Sequence, residues 1–270
     1  MRHAFGRVDV DFFSFLKERY PRCSQGHALS LCCGDGAFEE QLLQSGVFGQ
    51  ITGLELSPQR IAHGKGRMSQ GNDDEISRLQ FLQQDVNLGR YGEQCFDVVF
   101  AKAALHHIEQ LEQAMDGIRR CLRPGGLLIT IDFFGPSRFQ WTDAQLDACN
   151  WFWTHRVPTH LQRGHDGRAV GAITRPTVDA MIEMDPSEAV RSGELHSMLR
   201  DQFDVLEDFA LGGTVVHLLL SGGRVNHFDA SDPLHNAVLE EAVTFEQQLI
   251  SSGALNSDFR FVVAKPRARE

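Results

Sequence analysis

Two acids and two histidines close or follow short apolar runs in this 270-residue chain. Glu55 ends the run that starts at Ile51, Asp85 ends the run from Leu79, and His106 and His107 come just after Phe96–Phe100. A carboxylate at the end of a strand can grip the two hydroxyls of a ribose. A second can accept from the amino group of an adenine, with Val86 to pack on the ring. A histidine titrating near neutrality can take a proton from an attacking oxygen or nitrogen. One bound molecule could touch all of these groups, and residues 28–39, ALSLCCGDGAFE, indicate its type.

That segment runs from apolar sequence into Gly34-x-Gly36 and at once into helix-like sequence, which reads as strand, tight turn and helix start. Glycine lets a backbone make the turn and lie directly under a nucleoside, while the helix presents unpaired N–H groups to a carboxylate or phosphate. The chain therefore reads as a nucleoside-cofactor binder. A dinucleotide fold requires a third glycine where Glu39 stands. Glu55 would serve the ribose of NAD or of S-adenosylmethionine (SAM) equally, but Glu39 and Asp85 both disfavour NAD.

The elements that must position these groups follow from pattern. Apolar runs leading into the Gly34 turn, closing on Glu55 and on Asp85, and ending at Phe100 and Ile131 alternate with helical stretches, which predicts a parallel sheet covered by helices on both faces. Phe203–Glu207 and Phe259–Val263 supply a sixth and a seventh strand. The expected fold is α/β: a doubly wound, Rossmann-like, seven-stranded, mostly parallel sheet with a helical cap or lid insertion. Residues 1–136 would form the cofactor-binding core, 137–200 the lid, and 201–270 the rest of the sheet with a helical insertion, all in one domain. Thr177–Glu183 is helix-compatible, a further helix is predicted from Asp185 through Arg200, and Asp232–Ser251 has the period of a long amphipathic helix.

The ordered motifs resemble class I SAM-dependent methyltransferases of the small-molecule branch. The residues carrying the resemblance are the Gly34/Gly36 turn with Glu39, Glu55-Leu-Ser-Pro58, Gln84-Asp85, Phe96-Asp97-Val-Val, Leu105-His106-His107 and Leu122-Arg-Pro-Gly-Gly126, covering residues 27 to 135. The resemblance implies methyl transfer from SAM, with S-adenosylhomocysteine (SAH) as product. Around the turn it places Ser30, Cys32, Gly34, Asp35 and Gly36 at the cofactor. Glu55, Leu56, Asp85, Val86, Ala101 and Lys102 would complete that site. The family usually has an acid where Ser30 stands and a glycine where Cys32 stands. It also has a tight hairpin where this chain carries an insertion over 212–252, which would complete a substrate pocket or form a homodimer surface.

For catalysis the resemblance leaves two roles for the histidine pair. Either His107 or His106 is the base, or both are structural while proximity and orientation carry the rate.

Composition excludes several classes. At 42% hydrophobic, 270 residues can bury a sizeable core. A net charge of −10 disfavours a nucleic-acid partner, because counterion release needs a basic surface. Met1–Asp11 has no apolar stretch and no window approaches the roughly 20 apolar residues of a membrane span, so a cytoplasmic protein without membrane contact is expected. The six cysteines lack metal spacing and read as free thiols.

Charge is locally uneven. From His155 to Arg175 the chain is net +3, through Arg156, Arg163, Arg168 and Arg175 against Asp166, and it follows the aromatic stretch of Trp141, Trp151, Phe152 and Trp153. Read functionally, Trp141, Trp153, His155, Arg163 and Arg175 wall a pocket for a small, anionic or sugar-like acceptor. Read structurally, the segment is a solvated loop with tryptophans in the core. The spacing of His155, His160 and His165 is not a one-face helical step, and no metal is expected. Asp185-Pro-Ser-Glu-Ala-Val-Arg191 and Gly212–His217 bear a weaker likeness to bacterial methyltransferases of surface-polysaccharide or specialised-metabolite gene sets, which would make Glu188 and Arg191 pocket residues. A SAM-binding partner protein without turnover is the alternative, resting on Ser30 and Cys32.

Overall fold

The computed structural model describes residues 12–69, 77–163 and 168–267. Met1–Asp11, His165 and Asp166 of the cationic segment, and the last three residues of the chain lie outside the described residues. Seven strands form one sheet: β1 (His27–Leu31), β2 (Gln50–Glu55), β3 (Leu79–Gln83), β4 (Phe96–Lys102), β5 (Leu122–Phe133), β6 (Phe203–Gly212) and β7 (Phe259–Pro266). Their order is β3-β2-β1-β4-β5-β7-β6. The first five are parallel, and β7 runs antiparallel between β5 and β6. Strand order reverses between β1 and β4, so the crevice at their carboxyl ends is where such a sheet takes a ligand.

Side-chain alternation along the strands builds a core on each face. On one face Val99 and Ala101 of β4 pack with Leu29 and Leu31 of β1. They lie against Met115 and Ile118 of α4 (Leu111–Cys121) and Leu199 of α7 (Leu195–Gln202). On the other face Val98 and Phe100 meet Phe12 of α1 (Phe12–Arg19), Leu42 of α2 (Ala37–Gln44) and Ile61 of α3 (Pro58–Met68). Each of the valines, leucines, isoleucines, phenylalanines and the methionine so buried contributes about 1.5–3 kcal/mol.

The segment after β5 builds a third core with the insertion. Trp141, Phe152 and Trp153, the latter two on α5 (Asp143–His155), pack with Leu218 and Leu219 of α8 (Val216–Leu220) and with Val238 and Ala242 of α9 (Pro233–Ser251). Thr142 and Gln145 form a reciprocal capping box that starts α5. Among the described residues no helix is long and apolar enough to cross a membrane.

One predicted helix is corrected. The expected Thr177–Glu183 helix forms, but the one expected from Asp185 to Arg200 is α-helical only in its last part. Val178–Met184 forms α6, residues 185–191 are turns, and α7 begins only at Leu195. The reason is local competition. Asp185 Oδ1 accepts from the Ser187 N–H and hydroxyl, Ala189 sits at φ +48°, and the Val190 N–H donates to the His106 carbonyl. These bonds bring the loop onto the end of β4.

Candidate functional site

The glycine turn leaves β1 through three residues in the left-handed region: Cys32 at φ +51°, Gly34 at +60° and Gly36 at +75°. A Cβ on Gly36 would lie 2.5 Å from Cζ of Phe81, so both conformation and space demand glycine there. Glu55 fixes this turn from the end of β2. Its Oε2 accepts from the Gly34 N–H at 3.0 Å, and its Oε1 accepts from the Ser57 N–H at 2.8 Å. Each oxygen keeps a further lone pair for a ribose hydroxyl. Leu56 beside it is 61% exposed, an apolar surface at the rim.

Asp85 Oδ1 accepts from the N–H and the side-chain amide of Asn87, capping a short turn of helix at Val86–Leu88. Val86 is buried, and its carbonyl accepts from the Tyr91 hydroxyl. Ala101 is buried at the end of β4, whereas Lys102 is exposed with Nζ 4.7 Å from the Phe38 ring centroid.

Beside the turn opens a cleft of about 670 Å³, lined among others by Cys32, Gly34, Asp35, Phe38, Glu39 and Lys102. Ser30, Gly36, Glu55, Leu56, Asp85, Val86 and Ala101 are not part of that lining, so the expected cofactor residues divide between this cleft and the strands β1 to β4 with their loops around it. Asp35 is engaged by α3, with Oδ2 accepting from Arg67 at 2.8 Å. Burial pushes the Cys32 thiol up to about 12, which removes it as a nucleophile at neutral pH. All six cysteines are free thiols.

One cleft atom tests whether these residues suit a cofactor. Ser30 Oγ donates to Glu39 Oε1 at 2.7 Å, but Glu39 Oε2 is buried without a hydrogen-bond partner. A buried carboxylate oxygen left unpaired is costly, and a polar ligand in the cleft would relieve it.

The second constellation is the histidine pair, and it contains an acid that sequence reasoning missed. Asp132, fully buried at the end of β5, accepts from the backbone N–H groups of Ala104, Leu105 and Phe133. It also accepts from His106 Nδ1 at 2.5 Å. With Nδ1 committed, Nε2 of His106 faces Glu188 Oε1 at 3.6 Å. Burial pushes the His106 pKa down, but the bond to Asp132 and the charges of Asp132, Glu188 and Asp185 reverse this and hold it above its ordinary value. His107 Nδ1 donates to Ser187 Oγ at 3.2 Å, and that hydroxyl donates to Asp185. Ligand atoms of His106, His107 and Glu188 lie within 4.8 Å of one another.

The expected substrate wall is not gathered here. Trp141 and Trp153 are buried in the third core. Arg175 donates to the Trp141 carbonyl and to Asp143, and Arg191 is held by Glu112 and Glu194. His155 Nδ1 donates to the Trp151 carbonyl on the exposed side of α5, and Arg163 pairs in an isolated bridge with Ala169. Physically, the arginines of this acidic chain found nearby carboxylates and carbonyls, so the segment matches the structural reading more closely than the pocket reading. From the 185–191 run, Ser187 and Glu188 are the side chains that reach the histidines.

Known proteins resemble this arrangement. Residues 29–130 match a family model described as a methyltransferase domain. An uncharacterized methyltransferase of Synechocystis sp. is 34% identical over 113 residues, covering 41% of this chain and 49% of that protein. The chain's matches span half or less of the curated relatives' length. A SAM-dependent methyltransferase structure from Mesorhizobium loti aligns with a TM-score of 0.53 at 16% identity, covering 94% of this chain and 96% of that one. Phosphoethanolamine N-methyltransferase 2 of Haemonchus contortus, solved with SAH, aligns at 0.55 and 16% identity, covering 93% and 51%. At these identities the structural likeness establishes the fold alone.

Proposed function

Residues 29–130 form a class I SAM-dependent methyltransferase domain, and from that premise we propose that the protein transfers a methyl group from SAM to an oxygen or nitrogen of a small, polar, sugar-like acceptor. The observation that carries the cofactor part is Glu55, whose Oε2 holds Gly34 of the glycine turn, whose Oε1 holds Ser57 at the start of α3, and which still offers lone pairs to a ribose diol. Asp85 would take the adenine amino group, with Val86 and Leu56 as apolar surface.

When bound, SAM supplies an electrophilic methyl group on a sulfonium. The protein's own part is to hold the acceptor in line and to take its proton. His106 is suited to the proton transfer. Asp132 keeps its Nδ1–H in place, so Nε2 is the atom that receives the proton, and Glu188 stands beside the imidazolium that results. His107, tied to Ser187, positions the loop that carries Glu188. Asp132, Asp185 and Glu188 act on His106, against the single Arg138 guanidinium on the Asp185 and Glu188 carbonyls, and this negative excess favours a hydroxyl-rich or amine acceptor over an anionic one. The second reading, a SAM-binding partner without turnover, draws on the strained Cys32 at a position where the family uses glycine.

The test is titration calorimetry with SAH and with NAD, followed by SAH release assays on panels of sugars and amines. Micromolar binding of SAH alone and release with at least one acceptor are expected. Binding of NAD alone would overturn the cofactor, and tight SAH binding with no release on any acceptor would favour the partner-protein reading.

A further inference from the structure

Glu39 stands in the first turn of α2, one turn beyond Gly36, and its side chain leans back toward the glycine turn, as helical side chains do. It is 3% exposed and lines the cleft. Oε1 is satisfied by the Ser30 hydroxyl, which rises from the middle of β1, and Oε2 has no partner. On the opposite side of charge, Lys102 lines the same cleft from the end of β4. A buried acid and a lysine flanking one cleft beside a nucleoside-binding turn match a zwitterion, and the cofactor carries one, its α-amino acid end. Between the two cationic centres of SAM, only the ammonium has N–H donors to give to an orphaned oxygen; the sulfonium has none.

We propose that Glu39 Oε2 binds the α-ammonium group of the cofactor's methionine tail, with Ser30 orienting the carboxylate and Lys102 facing the tail's carboxylate. This rests on the SAM reading above. Ser30 thereby acquires a role, since its hydroxyl does not replace the acid usual at its position but directs one supplied from α2. Burial pushes the Glu39 carboxyl up while the Ser30 bond and the Lys102 charge oppose that, consistent with a site completed by a cation.

Calorimetry on the full chain with SAH, SAM and the desamino analogue of SAH tests this. For the wild type, removal of the amino group is expected to weaken binding roughly 10- to 100-fold, the range of a charge-assisted hydrogen bond. Glu39→Gln should weaken SAH and SAM by that same factor and bind the desamino analogue as the wild type does. Equal binding of SAH and its desamino analogue to the wild type overturns the proposal without any variant. A Glu39→Gln loss shared by all three ligands assigns Glu39 to shaping the turn and overturns it too, as does a loss for SAM that exceeds the loss for SAH, which would point at the sulfonium. Failure of the wild type to bind any of the three would instead overturn the cofactor reading.

Discussion

His106 Nδ1 and Asp132 Oδ1 lie 2.5 Å apart across the ends of neighbouring strands, and the same carboxylate anchors the backbone that carries the histidine. Asp132→Asn puts an amide N–H₂ where several N–H donors converge. Destabilisation of about 2–3 kcal/mol is expected from the unpaired buried groups, read by denaturant unfolding. A loss under about 0.5 kcal/mol would show that the surrounding N–H groups find other acceptors.

Glu188 lies against His106 Nε2 and helps hold its pKa above the ordinary value. A base must be unprotonated to act, so turnover falls as pH drops through the raised pKa. Glu188→Gln removes one of the charges that raises it. The acid limb of the pH–rate profile should therefore move to lower pH, while SAH affinity stays unchanged. An unmoved limb would separate Glu188 from the proton transfer.

Glu55→Ala should weaken SAH binding by about one to two decades, the size of a lost charge-assisted contact. Because Glu55 also holds Gly34 and Ser57, its melting temperature should fall as well. Unchanged affinity in calorimetry would remove the ribose assignment.

Asp258, nearly fully buried, has its carboxyl raised to about 7, chiefly by burial, against a bond from Gln145. The folded chain therefore holds this proton more tightly than the unfolded chain. Its contribution to stability is complete below the ordinary aspartate range and is lost as pH climbs from there to about 7. Asp258→Asn should flatten that part of the stability–pH curve, measured by melts across the interval. A variant curve parallel to the wild type would refute the raised pKa.

Where the chain's own periods and turns decide structure, the residues could be read directly. The glycine turn, strands β1 to β5 and the acid at the end of β2 depend on neighbours within a few positions. Asp132 and Glu188 depend on contacts that local pattern does not encode. Asp132 matters because β5 pairs beside β4 in a register that sets Ile131 opposite Lys102. Glu188 matters because an Asp185 turn outcompeted the helix that Pro186 and the surrounding composition suggested. The arginines illustrate the same limit. A local excess of positive charge looked like an anion site, yet Arg175 pairs with Asp143, 32 positions away, and Arg191 with Glu112, 79 away. Cys32 was visible as a departure from the family's glycine, but its left-handed backbone, about 1–2 kcal/mol of strain, was visible only in three dimensions.

The placement of β7 sets an order on biosynthesis. Phe259–Pro266 inserts between β5 and β6 and pairs with both, so a nascent chain on the ribosome can assemble strands one to five while the sixth waits beside an open amide ladder. Only when those last eight strand residues emerge does the sheet close. A stalled or clipped product lacking them would display β5 as a bare edge and leave β6 unpaired, the kind of surface that other chains recruit into aggregates.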